Sequence, residues 1–473
     1  MRQAIRTAAV LFTASLAIAG GAQAAKEQPL PKNLPPYAPE KPLPVPTIVD
    51  VSLPNGLTVW VVPRPGFPKV TAVLAVRGGT AADPEKLAGT AEVLADVVKE
   101  GTAKRTSRQI AEELQAVGGE ISASASDDAV FVTVDGLGSG VTRLLDILAD
   151  VSRNASFPED EVELAKTNTL QGLIARASTP EFAVDKAFGA AVFGDHPYRT
   201  VAPSKEAVAA LTPQILKAEY LRRFRPDRSL LVVVGEVDAP QVAATVKKFF
   251  GTWKGQGEAA AATPPAPTLG LREILVVDRP GSVQSEIRVG RPTVRMTDAE
   301  YFPELVANTI FGGAFSSRLI ENIREDKGYT YSPSSRASAY QEGGLLRIRA
   351  AVRTDVTAAT LLEIFYELDR MGATLPTEDE LSRAKHYQSG LYVLRNALQG
   401  AIAVTLGTDW VDGLPPEALA KFVPNVDAVT AAQVREVGQR LFTSRSQTVV
   451  IGGDAAKIKD DVAQFGEVKL LKP

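Results

Sequence analysis

The stretch VVPRPG at Val61–Gly66 returns as VVDRPG at Val276–Gly281, 215 residues further on. LLVVVGEVD (Leu230–Asp238) and TVVIGGD (Thr448–Asp454) are a second such pair, with Gly235 and Gly452 offset by 217. LTPQILKAEYLRRF (Leu211–Phe224) and VTAAQVREVGQRLF (Val429–Phe442) are a third, offset by 218. Three echoes at nearly one offset indicate an internal duplication, and a period this long makes each copy a whole domain rather than a solenoid repeat. Within the first copy, LTVWVV (Leu57–Val62), KVTAVLAV (Lys69–Val76) and AVFVTVDGL (Ala129–Leu137) alternate or run apolar, as strands do. Ser107–Gly119 and Gly140–Ala155 have helical spacing, with Ser107 and Gly118 as expected caps. The second copy repeats the plan, with strands near Ile274–Val277, Val283–Val289 and Leu345–Val352 and helices over Asp298–Phe311, Val356–Met371 and Glu378–Leu398. Strand pairs ahead of helix runs predict an α+β fold: two homologous domains, each a mostly antiparallel sheet packed with helices.

The expected layout has five parts. Residues 1–24 read as a signal peptide, with Arg2 and Arg6, an apolar run too short to span a bilayer, and an Ala22-Gln23-Ala24 cleavage site. Residues 25–47 form a proline-rich tether. An N-terminal domain covers 48–257, an Ala/Pro-rich linker 258–270, and a C-terminal domain 271–473. Export with no membrane span after signal removal points to a periplasmic protein. The net charge of −3 gives no electrostatic reason to expect nucleic acid as a partner.

Little catalytic chemistry is open to this chain. It has no cysteine and two histidines, His196 and His386, 190 residues apart. Neither has a neighbour at metal-ligand spacing, so no zinc site is expected. GLGSG (Gly136–Gly140) lacks both the third glycine of a dinucleotide loop and the lysine of a P-loop, and reads as a turn. GGAFSSRLIENIREDKGYTYSPSS (Gly312–Ser335) is denser. Arg324 and Tyr331 are seven residues apart, and a helix ending at Lys327-Gly328 would turn the chain back. A guanidinium and a phenol could then converge as donors to a developing oxyanion. The same spacing is met by a surface ion pair beside a half-buried tyrosine.

Several motifs together resemble the pitrilysin/insulinase family of inverted-zincin metallopeptidases, and in particular its bacterial two-chain members and the mitochondrial processing peptidase. They are PNGLTVWVV, RGGTAADPEKLAGTAE, EGTAKRT, GGEISAS, FGDHPY, FGGAFSSRL and REDKGYTYS. The family's catalytic helix carries H-x-x-E-H, two zinc-binding histidines around a glutamate base. In the register set by Gly89 and Gly101-Thr102 in GTAEVLADVVKEGT, the histidine positions fall on Glu92 and Asp96, and the base on Ala95. The third ligand, a glutamate in the family, falls in NTLQGLIA (Asn168–Ala175), where the matching positions are Gln171 and Gly172. The resemblance therefore implies that this chain binds no metal. The family's Arg…Tyr pair, which binds the scissile region of the peptide, falls on Arg324 and Tyr331. The implied protein is the substrate-orienting subunit of a heteromeric zinc peptidase. A homologous partner would bring zinc and H-x-x-E-H, and peptides or unfolded chains would be the substrate. The alternative is a non-proteolytic scaffold or peptide-binding protein of the same descent.

Overall fold

A computed structural model describes residues 46–268 and 270–471. The signal segment and all but Pro46 and Thr47 of the tether lie outside the described residues. The first copy builds a six-stranded sheet from β1 (Val49–Asp50), β2 (Thr58–Pro63), β3 (Lys69–Arg77), β4 (Glu120–Ala125), β5 (Ala129–Leu137) and β6 (Ser229–Gly235), in the order β1-β2-β6-β3-β5-β4. The second builds β7 (Glu273–Asp278), β8 (Gln284–Thr293), β9 (Ser334–Tyr340), β10 (Gly343–Arg353), β11 (Thr448–Gly453) and β12 (Val468–Leu471), in the order β12-β7-β11-β8-β10-β9. Both sheets are mixed with an antiparallel majority, as the α+β reading expects. In the first, only β2–β6 is parallel. In the second, β7 pairs parallel with both β11 and β12.

The helices used below are α1 (Thr90–Val97), α2 (Glu159–Ala177), α3 (Pro180–Phe193), α4 (Pro213–Arg223), α5 (Glu378–Arg395) and α6 (Gln399–Val411). The echoed strands β6 and β11 are buried at every position. A strand covered on both faces has no reason to alternate, so its sequence reads as one apolar run. The two halves supply each other's cover. Helix α3 of the first half packs on β8 and β11, and α6 of the second packs on β3 and β6. These helices begin 219 residues apart, so they are corresponding elements of the duplication exchanged between the halves. The approach is close: a Cβ on Gly452 would lie 2.3 Å from Val184 Cγ2 of α3.

Polar groups finish the junction. Tyr198 Oη donates to Asp128 Oδ1 at 2.7 Å, and Asp128 Oδ2 accepts from Gln341 N at 3.0 Å. His196 Nε2 lies 2.8 Å from Pro264 O, which fixes this histidine to the segment joining the halves. At the end of α6, Arg77 from β3 stacks 4.0 Å over Trp410. Burial pushes the Asp409 carboxyl up to about 7. Burial, reinforced by the charges of Asp128 and Asp409 and opposed by Arg77, pushes Asp412 up to about 8. Both values exceed that of an unfolded aspartate, near ~3.9. From about pH 4 to about pH 8 the folded chain therefore keeps protons that the unfolded chain has released, and stability falls as pH rises through that window. Asp412→Asn should remove part of this slope and stabilise the protein at pH 8 by about 2 kcal/mol. Urea unfolding at pH 5 and pH 8 checks this, and a slope identical in the two proteins would overturn it.

Local differences from the sequence reading have clear causes. Thr106, not Ser107, caps the helix Ser107–Gln115, in a reciprocal capping box with Gln109. The helix expected over Asp298–Phe311 begins at Tyr301 and passes at Thr309–Gly313 into a wider π-helical turn.

Candidate functional site

Helix α1 is the element on which a zinc site would stand. Gly89 begins it at φ 100°, and a Cβ there would lie 2.2 Å from Pro203, so only glycine fits. Asp83 accepts from Gly89 N at 2.8 Å and Ala91 N at 3.1 Å, satisfying amides that a helix start leaves without partners. Arg223 of α4 holds Asp83 in turn. Its Nη2 lies 2.6 Å from Asp83 Oδ1, its Nε donates to Gly78 O at 2.9 Å, and its Nη1 pairs with Glu219. The guanidinium is fully buried.

The working positions on that frame do not fit a metal. Ala95 is buried and offers a methyl group where a general base would be needed. Glu92 is half-buried, Asp96 is exposed, and Gln171, on α2 packed against α1, is exposed and neutral. Burial raises the Glu92 pKa against the opposing charge of Arg176. Burial likewise raises Asp96. Lys99 donates to the Asp96 carbonyl at 2.9 Å and pairs with Glu100, and its charge opposes the rise at Asp96. Among the described residues no group of three or more His, Cys, Asp or Glu side chains is placed to hold a metal ion. His386, exposed on α5, has its Nδ1 3.4 Å from Ser382 Oγ.

The second half brings Arg324 and Tyr331 together. Arg324 lies in a π-helical segment, Ile320–Asp326, of a kind that recurs at functional sites. Gly328 at φ 63° reverses the chain, with Gly328 N donating to Arg324 O at 3.1 Å and Tyr329 N to Ile323 O at 3.0 Å. Thr330 Oγ1 then donates to Ala351 O at 2.6 Å, docking the turn on the end of β10. The contact between the pair is a stack. The guanidinium carbon lies 4.4 Å from the Tyr331 ring centroid and 4.8 Å from that of Phe315. Both rings are largely exposed, at 77% and 70%. Both rings are within cation–π reach of the guanidinium and restrict its movement. Arg324 Nε lies 3.1 Å from Glu325 Oε1. The group opens into a cavity of about 630 Å³, also lined by Gln284, Tyr329, Ser332 and Arg353. Such a site can donate charged hydrogen bonds to a carbonyl, an oxyanion or a carboxylate. Arg318, on the same stretch, is not part of it. It is buried and pairs with Glu380 at 2.6 Å and 3.0 Å. Sequence reading missed Phe315 in GGAFSSR, and also Gln284 and Arg353, whose nearness depends on strand pairing.

The chain is similar to known proteins over most of its length. Residues 59–201 match the model described as insulinase (peptidase family M16), and residues 210–387 match the one described as peptidase M16 inactive domain. Together they span about two thirds of the chain. An uncharacterized zinc protease of Mycobacterium leprae is 28% identical over 414 residues, covering 87% of this chain and 93% of that protein. One of Mycobacterium bovis is 27% identical over 412 residues, covering 86% and 93%. The crystal structure of a peptidase M16 inactive domain from Pseudomonas fluorescens superposes with a TM-score of 0.80 at 22% identity, covering 86% of this chain and 98% of that one. A protease from Helicobacter pylori gives 0.78 at 17%, covering 86% and 99%. The duplicated α+β halves, the frame of α1 and the matches over both halves lead to one conclusion: the chain belongs to peptidase family M16, the insulinase family, and carries that family's inactive domain.

Proposed function

We propose that this chain is the non-metal-binding, substrate-orienting subunit of a heteromeric periplasmic zinc endopeptidase acting on peptides or unfolded polypeptides. The observation that carries the reading is the contrast between its two sites. The frame of α1 is intact while its working positions carry Glu92, Ala95 and Asp96 in place of two histidines and a base, whereas Arg324 stacks against two exposed rings at an open cavity. The cavity is one wall of a site, and a homologous chain bearing H-x-x-E-H would supply the metal and its water. Arg324 would hold the scissile carbonyl and accept its developing charge, with the Tyr331 phenol at the rim.

The test is to purify this chain alone, the zinc-bearing homologue alone and the two mixed. Zinc content and cleavage of an unstructured peptide are then measured for each. Zinc only in the homologue and turnover only in the mixture are expected. Stoichiometric zinc in this chain alone would overturn the proposal. Formation of a complex with no hydrolysis would favour the non-proteolytic scaffold.

A further inference from the structure

The face of the second sheet that α3 covers at β8 carries, on β9 and β10, a surplus of positive charge. On β10, Arg347, Arg349, Ala351 and Arg353 alternate onto one face, with equivalent positions roughly 7 Å apart along the strand. Pairing sets Arg347 opposite Arg336 of β9, Arg349 opposite Arg288 of β8, and Arg353 opposite Gln284. Residues directly opposite in an antiparallel pair share a face, and like charges placed so are destabilising. The carboxylates of this face are fewer than its arginines. Asp185 of α3 and Glu286 pair with Arg288 at 2.7 Å and 3.1 Å, the Asp185 charge also acts on Arg347, and Asp355 pairs with Arg353 at 3.3 Å. Arg288 Nη2 is still buried without a hydrogen-bond partner. Among the described residues, Arg336, Arg347 and Arg349 have no side-chain hydrogen bond or ion pair. Arg336, Arg349 and Arg353 are exposed. The row ends in the cavity of Arg324, which Arg353 also lines.

A chain with a net charge of −3 has no general reason to collect unpaired arginines on one face, and the cost of cross-strand repulsion calls for a counter-charge from outside. We infer that this arginine face is a selectivity site for an extended, acidic peptide segment, whose Asp or Glu side chains lie along Arg336, Arg347 and Arg349 while its backbone reaches the Arg324 cavity. An extended peptide repeats its side chains on one side at the spacing of the β10 row. The assignment of a peptide rests on the function proposed above, since the row leads into the cavity where that proposal places the substrate.

The full chain, without any partner, is titrated against labelled, C-terminally amidated peptides of about ten residues, long enough to span the row. One is rich in glutamate, one in glutamine and one in lysine, and a thymidine oligonucleotide of similar length is the fourth probe. Fluorescence anisotropy at low salt should show the glutamate peptide binding at least about tenfold tighter than the glutamine peptide, an advantage that falls as salt is added. Amidation removes the terminal carboxylate as the source of the charge. Arg336→Gln combined with Arg349→Gln should abolish the preference, while Arg108→Gln, at an exposed helix position in the first half, should leave it intact. Equal affinity for the glutamate and glutamine peptides, a preference that survives the double substitution, or an oligonucleotide that binds as tightly as the glutamate peptide would each overturn the inference. Acidic binding without hydrolysis in any mixture would sink the peptidase proposal alone. Hydrolysis with no preference between acidic and neutral peptides would sink this inference alone.

Discussion

Replacing Arg223 with methionine should destabilise the protein by about 3–5 kcal/mol, the usual cost of breaking a buried ion pair from one side. The methionine keeps much of the volume, so the loss comes from charge rather than from a cavity. Asp83, whose side chain is 2% exposed, would keep its carboxyl in the interior with no cation, and Glu219, 8% exposed, would keep only Arg222 at 2.7 Å. Gly78 O would lose its donor at the end of β3. Through Asp83 the damage reaches the first turn of α1, because the same carboxylate caps Gly89 and Ala91. Adding Asp83→Asn and Glu219→Gln to Arg223→Met should recover part of the loss, since an uncharged buried set is far less costly than an unpaired charged one. Urea unfolding of the three proteins measures this, and a loss below about 1 kcal/mol for Arg223→Met would show that water or rearrangement replaces the guanidinium. The result bears on why α1 still resembles a catalytic helix. Gly89, Asp83 and Arg223 are held by close packing and buried charge, so the constraint on the helix start does not depend on what Glu92 and Asp96 do.

Some of this architecture was legible in the sequence and some was not, for physical reasons. The strands were readable because β6 and β11 are covered on both faces and can only be apolar runs. The duplication was readable because corresponding turns and strands carry the same demands. The exchange of α3 and α6 was not. PEFAVDKAFGAAVF and QGAIAVTLGTDWV are apolar nearly all round, which indicates burial without naming what buries them. The positions that the family register assigns to zinc could be found only through that register, since Glu92 and Asp96 one turn apart are unremarkable on any partly exposed helix. The Arg324–Tyr331 spacing could be read, but its geometry as a stack required Phe315 and the π-helical turn. The arginine face was invisible for a different reason. RIRAAVR shows its alternation in the sequence, yet only the β8–β10–β9 register reveals that arginine meets arginine across both strand pairs.

In the pair proposed above, once reconstituted, Arg324→Ala should lower turnover by about 10²–10³, the loss typical of removing one donor to a developing oxyanion. The effect should lie in kcat as well as kcat/KM, because the interaction strengthens as charge appears on the carbonyl oxygen. A role in ground-state binding alone would raise KM and leave kcat unchanged. Arg324→Lys should rescue little. An ammonium has neither the planar fork nor the faces that Phe315 and Tyr331 hold at 4.8 Å and 4.4 Å. Tyr331→Phe separates the two contributions of that residue: it keeps the ring under the guanidinium and removes only the hydroxyl. If the ring's task is to hold Arg324, this variant should lose no more than about tenfold, far less than Arg324→Ala. If the phenol donates to substrate itself, the two losses should be comparable. Folding does not confuse the comparison, because Tyr331 is 77% exposed and the Arg324 side chain packs on exposed rings. Unchanged melting temperatures of the variants verify this. Turnover equal to the parent's in both Arg324→Ala and Tyr331→Phe would remove the cavity from the mechanism and leave this chain as a partner that only shapes the complex.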